Sequence, residues 1–226
     1  MPLHELWRLF GRRSPWPRRF LGRAAHAAGF DAIATGEPLT RDVLFVANHI
    51  SWIDILVLAG VTGSRFVAKS EVESWPVVGW LAGLNATIYV RRTERGRAAV
   101  QADRLREALA EGAPVTLFAE GSTGDGLGIR PFRASLLAAL APPPPGVMLQ
   151  PVVLDYGPEA PLIAWPDELD AGQDAMRILA LPGRRTVTLR FLAAIDPAAT
   201  PDRKLLAAKA REAMCEALGG NASEPV

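Results

Sequence analysis

The chain has 226 residues, of which 49% are hydrophobic and 22% are charged, and this balance excludes a disordered protein. Its 25 basic and 24 acidic residues leave a formal net charge of +1, which argues against nucleic-acid binding through the overall charge. The length is sufficient for one large domain with its own core. The single cysteine, Cys215, excludes an internal disulfide and fits a reducing compartment.

The first 30 residues carry the basic character of the chain. They hold six arginines and one glutamate, whereas residues 31–226 have 19 basic and 23 acidic residues. Tryptophan, phenylalanine and leucine alternate with these arginines, which is typical of a segment lying in an anionic membrane interface. A surface helix packed on the domain is the alternative. We expect peripheral or monotopic attachment, because no run of 18 apolar residues predicts a transmembrane helix.

From residue 43 onward, short apolar runs alternate with longer helical patterns. Predicted strands cover residues 43–47, 65–68, 87–90, 115–119, 147–156 and 186–195. Predicted helices cover residues 51–59, 96–110, 131–140 and 201–218. The uncharged residues 74–84 fit either a short helix inserted shallowly in lipid or a buried one.

This alternation predicts a single α/β domain over residues 31–220, with a mostly parallel sheet flanked by helices. A basic amphipathic segment, residues 1–30, precedes the domain, and a polar tail, residues 221–226, follows it. In such folds the functional groups gather at the carboxyl ends of the strands.

A histidine and an aspartate follow the strand predicted at 43–47. His49 stands at the strand end, and Asp54 falls five positions later, in the first turn of the next helix. One ring nitrogen of His49 can then donate to Asp54, which leaves the other nitrogen as a base for an alcohol proton. Because Ser51 and Asp54 also fit a capping box, helix capping is the alternative role of this carboxylate.

A carboxylate and a glycine-rich loop follow the strand predicted at 115–119. Glu120 precedes glycines at 121, 124, 126 and 128, whose N–H groups can hold an anion or line a tight pocket. The loop is neither a P-loop nor a dinucleotide motif, and the chain has no G-x-S-x-G elbow. We expect no metal, because the histidine and the scattered acids do not have ligand spacing.

Four arginines stand at the ends of predicted strands or loops: Arg91, Arg92, Arg130 and Arg133. Guanidinium groups at such positions suit phosphate or carboxylate recognition, with a solvated role as the alternative for each.

Taken in order, these segments resemble the lysophosphatidic acid acyltransferase family, the glycerolipid acyltransferases of phospholipid synthesis. The resemblance covers about residues 40–160. The similar blocks lie at residues 48–54 (the family's NHxSxxD), 86–92, 118–122 (its FPEGTR), 131–133 (its Pro-Phe-Lys) and 150–152.

The resemblance implies direct transfer of a fatty acyl chain from acyl-CoA or acyl carrier protein to the hydroxyl of a lysolipid, with no resident cofactor. It makes His49 the base and Asp54 the residue that orients it. It further implies substrate-binding roles for the surrounding residues: Asn48, Ser51, Arg91, Arg92, Glu120, Gly121, Ser122, Thr123 and Arg133.

One departure from the family pattern bears on the acceptor. Thr123 stands where FPEGTR has the arginine that the family associates with the acceptor phosphate. We expect 1-acyl-sn-glycerol-3-phosphate, the usual acceptor of the family, with lyso-ornithine lipid as the alternative because loop 120–126 is similar to that branch.

The resemblance places the enzyme on the cytoplasmic face of a bacterial inner membrane, attached through residues 1–30. A catalytically silent lipid-binding module is the alternative of another class. A thioesterase that uses water as the acceptor is a third possibility.

Overall fold

The computed structural model describes residues 14–70, 87–90 and 98–219. Seven strands are present there: β1 (Phe30–Thr35), β2 (Val43–Ala47), β3 (Arg65–Lys69), β4 (Ile88–Val90), β5 (Val115–Phe118), β6 (Met148–Asp155) and β7 (Arg185–Phe191). The α-helices are α1 (Trp16–Ala27), α2 (Ile53–Thr62), α3 (Ala98–Ala110), α4 (Ala160–Ile163), α5 (Ala171–Leu179) and α6 (Arg203–Leu218). Two 3₁₀ segments, Ala134–Leu140 and Gly157–Glu159, complete the elements.

The strands form one mixed sheet in the order β1-β7-β6-β2-β5-β3-β4. Every neighbouring pair is parallel except β6 and β7. β2 lies at the centre and is buried along its whole length, which explains its unbroken apolar sequence VLFVA. The sheet confirms the predicted α/β class with a mostly parallel sheet.

Helices cover both faces of the sheet. On one face α1, α2, α4 and α5 pack in a layer whose core includes Leu21, Leu58, Ile163 and Ile178. On the other face α3, α6 and the first 3₁₀ segment form a layer whose core includes Leu109, Leu137 and Leu206. In the described ranges no helix combines the length and the apolar character needed to cross a bilayer.

Helices α1 and α2 cross at two glycines. A Cβ on Gly60 would lie 2.6 Å from the Cα of Gly22, so the two backbones touch at this point. Arg18 reaches across the crossing, and its Nε donates to the carbonyl of Gly60 at 3.2 Å.

Several elements differ from the sequence prediction. The α-helix predicted at 131–140 is wrong, because the chain forms a 3₁₀ segment over Ala134–Leu140. The prolines that follow have no N–H groups and cannot donate the i to i−4 hydrogen bonds of an α-helix. β1 was not predicted, since all but its first residue are partly or fully exposed at the sheet edge. α5 was also not predicted.

The polar tail 221–226 and the helix considered for residues 74–84 lie outside the described residues.

Candidate active site

The carboxyl ends of three adjacent strands bring the predicted site together. β2 pairs in parallel with β5 on one side and with β6 on the other. The segments that follow these strands therefore emerge side by side, and they carry His49, Glu120 and Tyr156. His49 and Glu120 were predicted from the sequence, whereas Tyr156 was not, and its one available signal was its position at the end of a predicted strand.

The predicted histidine–aspartate pair is formed. His49 Nδ1 lies 2.8 Å from Asp54 Oδ2. The Asp54 side chain is fully buried, and that of His49 is 18% exposed. Because Nδ1 faces the carboxylate, Nε2 is the ring nitrogen left to act as a base.

The buried carboxylate of Asp54 is held by three further donors. Its Oδ2 accepts the backbone N–H groups of Ile50 at 2.7 Å and Ser51 at 2.9 Å. Its Oδ1 accepts the hydroxyl of Tyr156 at 2.5 Å. Burial and the Asp54 charge raise the pKa of Tyr156 well above its usual value, so the phenol stays a donor.

The capping alternative for Asp54 is met only in part, because the carboxylate accepts the Ser51 N–H but Trp52 is the N-cap residue of α2 and the helix has no side-chain cap there. Asp54 accepts the Ser51 N–H, and the Ser51 hydroxyl oxygen accepts the N–H of Ile53 at 3.4 Å, where α2 begins. One carboxylate thus organises the start of the helix and the imidazole together. Ser51 is buried and makes this local contact.

A phenylalanine fixes the plane of the imidazole. The rings of His49 and Phe118 are stacked with centroids 3.9 Å apart and an angle of 12° between the planes. Phe118 in turn stacks on Phe66 at 5.7 Å. In the sequence Phe118 is recognisable only as part of a strand and a motif, and its contact with His49 depends on the tertiary structure.

Glu120 lies beside the pair as a second buried carboxyl group. Its Oε1 accepts the backbone N–H of His49 at 3.3 Å, while its buried Oε2 has no hydrogen-bond partner within the described residues. Burial raises the pKa of Glu120 to about 8, with the Asp54 charge adding to the shift and the His49 N–H opposing it. Glu120 is therefore largely protonated at neutral pH.

The glycine loop folds back onto His49. The N–H of Gly124 donates to the His49 carbonyl at 2.6 Å, and the N–H of Gly121 donates to the Phe118 carbonyl at 3.2 Å. Gly121 has a φ of +84°, and a Cβ there would lie 2.8 Å from Arg133 Nε. The loop therefore needs glycine at 121 for its conformation and for the close approach of Arg133.

Two arginines reach the same loop. Arg130 Nη1 donates to the Thr123 carbonyl at 2.8 Å and to the Ser122 hydroxyl at 3.3 Å. Arg133 packs against Gly121, as its distance to that backbone shows. Two guanidinium groups therefore flank residues 121–123, although Arg130 was not among the residues to which the resemblance assigned substrate binding.

The remaining predicted site residues are placed differently. The Asn48 side-chain amide donates to the Leu154 carbonyl at 3.0 Å and accepts the Leu154 N–H at 2.8 Å, so it joins β2 to β6 as a peptide group would. Arg91 and Arg92 lie outside the described residues. No group of three or more His, Cys, Asp or Glu side chains that could hold a metal occurs in the part of the chain that is described.

A histidine held by a buried carboxylate at the carboxyl ends of a parallel sheet, beside a loop flanked by guanidinium groups, is an arrangement typical of α/β enzymes that activate a hydroxyl or water nucleophile. A model of the acyltransferase family matches residues 31–155. The chain belongs to this family and is an acyltransferase.

Known relatives agree with this assignment. The chain is 37% identical over 179 residues to the lyso-ornithine lipid O-acyltransferase of Brucella abortus, an alignment covering 73% of this chain and 67% of the relative. It is 33% identical over 228 residues to the enzyme of the same name from Rhizobium meliloti, covering 90% and 78%. It is 32% identical over 200 residues to the 1-acyl-sn-glycerol-3-phosphate acyltransferase of Neisseria meningitidis, covering 86% and 77%.

The fold is also similar to a solved structure. The 1-acyl-sn-glycerophosphate acyltransferase PlsC from Thermotoga maritima superimposes with a TM-score of 0.66 at 23% identity. The match covers 92% of this chain and 80% of that one. It confirms the glycerolipid acyltransferase fold that the sequence resemblance implied.

Proposed function

We propose that the chain transfers a fatty acyl group from a thioester to the free hydroxyl of a lysolipid, with His49 as the general base. The contact between His49 Nδ1 and the buried Asp54 carboxylate carries this proposal, because it leaves Nε2 as the proton acceptor. The relatives named above support the substrate class, since their names specify acylation of lyso-ornithine lipid or 1-acyl-sn-glycerol-3-phosphate.

The reaction is a direct transfer in two proton movements. His49 Nε2 takes the hydroxyl proton as the acceptor oxygen attacks the thioester carbonyl. Asp54 stabilises the resulting imidazolium through Nδ1. Tyr156 and two backbone N–H groups hold the Asp54 carboxylate in position for this contact. When the tetrahedral intermediate collapses, the C–S bond breaks and the imidazolium returns the proton to the leaving thiolate. The ester and a free thiol are the products.

Lyso-ornithine lipid is our first proposal for the acceptor. Thr123 supplies a backbone carbonyl to Arg130 where the family motif has an arginine. An ornithine head group carries one carboxylate and one ammonium, so it needs less positive charge than a phosphate monoester of charge near −2. The relatives from Brucella abortus and Rhizobium meliloti have this activity in their names.

The second candidate acceptor is 1-acyl-sn-glycerol-3-phosphate. Arg130 and Arg133 both reach the loop that contains Thr123, so two guanidinium groups are available to replace the missing one. The Neisseria meningitidis relative is named for this acceptor.

For the donor we propose acyl carrier protein or acyl-CoA, and for the location the cytoplasmic face of the bacterial inner membrane. Helix α1 supports peripheral attachment, because Arg18, Arg19 and Arg23 are exposed on it. Trp16 and Phe20 are exposed on the same helix. Guanidinium and aromatic side chains in one helix suit an anionic membrane surface.

The activity is tested by incubating the purified protein with labelled acyl-CoA or acyl carrier protein and a panel of lysolipids, with products identified by mass. We expect acylated lysolipid in the presence of either acceptor class. Thioester consumption without a lysolipid would instead show a thioesterase, and binding of the lipid without consumption would show a silent lipid-binding module.

The substitution Thr123→Arg tests the choice of acceptor. A new charge-assisted contact should raise kcat/KM for 1-acyl-sn-glycerol-3-phosphate relative to lyso-ornithine lipid by about tenfold. Thr123→Gln is the control, since it lengthens the same side chain without adding a charge. If the wild type already prefers the phosphate acceptor and Thr123→Arg only lowers activity, the existing arginines are the phosphate site.

A further inference from the structure

Helix α5 has its charged side chains turned toward the protein. Asp174 is fully buried, and Arg177 pairs with it at 2.6 Å while donating to the carbonyl groups of Leu162 and Ala164 at the end of α4. The exposed face of the same helix carries Met176 and Leu179, which are 69% and 53% exposed. The exposed residues of α5 include no charged side chain. A helix on a water-exposed surface normally shows the opposite arrangement.

Two segments next to α5 also carry exposed apolar side chains. Leu162 of α4 is exposed, and its carbonyl receives the Arg177 hydrogen bond from α5. The glycine loop abuts α4, because a Cβ on Gly126 would lie 2.5 Å from the Ala160 carbonyl carbon. Leu127, next in the loop, is 79% exposed. We call the four exposed side chains the apolar rim: Leu127, Leu162, Met176 and Leu179.

The segments that carry the apolar rim are hydrogen bonded to the catalytic segment. The N–H of Gly124, three residues before Leu127, donates to the His49 carbonyl at 2.6 Å. The N–H of Trp165, which follows α4, donates to the Ile50 carbonyl at 2.8 Å. Two of the segments that carry the apolar rim are therefore tied by backbone hydrogen bonds to residues 49 and 50, beside the histidine–aspartate pair.

We propose that the apolar rim inserts into the hydrocarbon boundary of the membrane and forms a second membrane contact, separate from the arginines of α1, that presents His49 to the lysolipid. This inference rests on the proposed function, since it takes the acceptor to be a membrane lipid. Helices α1, α4 and α5 pack in the same layer on one face of the sheet, so one surface can engage both contacts.

The small size of the apolar rim favours a lipid over a protein as its partner. Four apolar side chains are far fewer than the roughly 20–30 residues per side of a stable protein interface. The exposed acidic residues Asp167, Glu168 and Asp170 precede α5, so they oppose electrostatic attraction to an anionic surface. The contact should thus depend on apolar burial and not on lipid charge.

The experiment places an environment-sensitive thiol probe on the apolar rim. Cys215 is the only cysteine of the chain, so Met176→Cys in a Cys215→Ala background gives a single label. We expect probe fluorescence to rise at least about twofold on vesicles and to be quenched by brominated acyl chains, as the probe leaves water. The matched control is Leu205→Cys on α6, which is 50% exposed in the opposite layer and should keep a water-like signal.

A C-terminal His-tag and a nickel-chelating lipid hold the full chain on the vesicle, so the probe reports the apolar rim even if the α1 contact fails. A water-like signal at position 176 on tethered protein overturns the proposal. The proposal is also overturned if the protein forms a dimer that the double variant Met176→Gln, Leu179→Gln dissociates. A second copy of the chain would then cover the apolar rim. Probe insertion without acyl transfer would leave the apolar rim in place and refute the proposed function instead.

The double variant Met176→Gln, Leu179→Gln gives a functional measurement. We expect KM for a vesicle-embedded lysolipid to rise at least about tenfold, because the membrane contact loses two apolar side chains that it would otherwise bury in lipid. Activity on a monomeric short-chain lysolipid should be unchanged, since neither residue touches the catalytic pair. An equal loss on both substrates would contradict the proposal.

Discussion

At the scale of single residues, the site depends on a carboxylate that is fully buried yet charged. Such a group is stable only when hydrogen-bond donors replace the lost water. Asp54 has four of them: the His49 ring, two backbone N–H groups and the Tyr156 hydroxyl. Three of these donors do not depend on the imidazole, so the carboxylate keeps its position when the protonation of His49 changes during turnover.

Removal of the base should abolish most of the activity. We expect His49→Ala to lower kcat by about 100- to 10,000-fold, the usual contribution of one positioned base, with the fold retained. Asp54→Asn should also impair turnover. The control is His26→Ala, because His26 is exposed and lies outside the site. Near wild-type turnover in His49→Ala, measured as ester formation, would remove the mechanism.

In the proposed mechanism Tyr156 positions Asp54, to which its hydroxyl donates. Tyr156→Phe should lower the free energy of unfolding by about 1–3 kcal/mol, because a buried carboxylate oxygen loses its donor. It should also lower kcat while leaving KM for the lysolipid unchanged. Thr116→Val is the control, since it removes another buried hydroxyl, bonded to Ser64, and should cost stability without changing kcat. The two variants are compared by urea unfolding and initial rates.

Glu120 makes stability depend on pH. Its pKa is raised to about 8 in the folded protein, so folding takes up a proton between the ordinary value of 4.5 and pH 8. The stabilisation is therefore complete below pH 4.5 and is lost as the pH rises toward 8. The stability of the wild type relative to Glu120→Gln should fall by a few kcal/mol between pH 5 and 8, at about 1.4 kcal/mol per pH unit.

Urea unfolding at both pH values measures this difference, and Glu168→Gln, at an exposed position, is the control. If the difference in free energy of unfolding between the wild type and Glu120→Gln does not change with pH, Glu120 is not buried in its protonated form.

At the scale of elements, the glycine crossing sets how closely α1 approaches the domain. Gly60→Ala should destabilise the protein by about 1–3 kcal/mol, because its Cβ would lie 2.6 Å from the Gly22 backbone and push the helices apart. Gly22→Ala is the matched control. Its Cβ would lie 3.4 Å from Gly60, an ordinary contact, so the gain in helix propensity of up to about 1 kcal/mol should keep it neutral or stabilising. Equal thermal shifts for the two variants would contradict this geometry.

At the scale of the whole molecule, the α1 arginines and the apolar rim should respond differently to salt. Binding to anionic vesicles through α1 should weaken as ionic strength rises, because salt screens charges at the membrane surface. Arg19→Gln with Arg23→Gln should lower the partition constant for anionic vesicles, measured by pelleting, by about 30-fold, at about 1 kcal/mol per arginine. The control is Arg104→Gln with Arg203→Gln, which removes two exposed arginines from the opposite layer.

Equal binding of this α1 variant and the wild type at low salt would exclude α1 as the electrostatic contact. Pelleting that is independent of both salt and lipid charge would leave apolar insertion as the whole of the membrane affinity.

The sequence alone determined the parts of this protein that depend on neighbours in the chain. Alternating strands and helices predicted the α/β sheet, and His49 and Asp54 were recognisable because five residues across a strand–helix junction bring a ring and a carboxylate together. The motif order predicted the acyltransferase family, and the match of residues 31–155 to the family model confirms it.

The tertiary structure decided what depends on strand order and side-chain packing. Glu120 and Tyr156 are 71 and 102 positions from their partners, and the parallel pairing of β2 with β5 and β6 brings them to His49 and Asp54. A capping box of Asp170 and Gln173 marks the start of α5 in the sequence, but packing on the α4 carbonyls decides that its charges turn inward and that Met176 and Leu179 stay exposed. Local patterns in the sequence show where apolar and polar residues alternate along the chain. The direction in which a face points is set by the elements packed against it, and those lie far away in sequence.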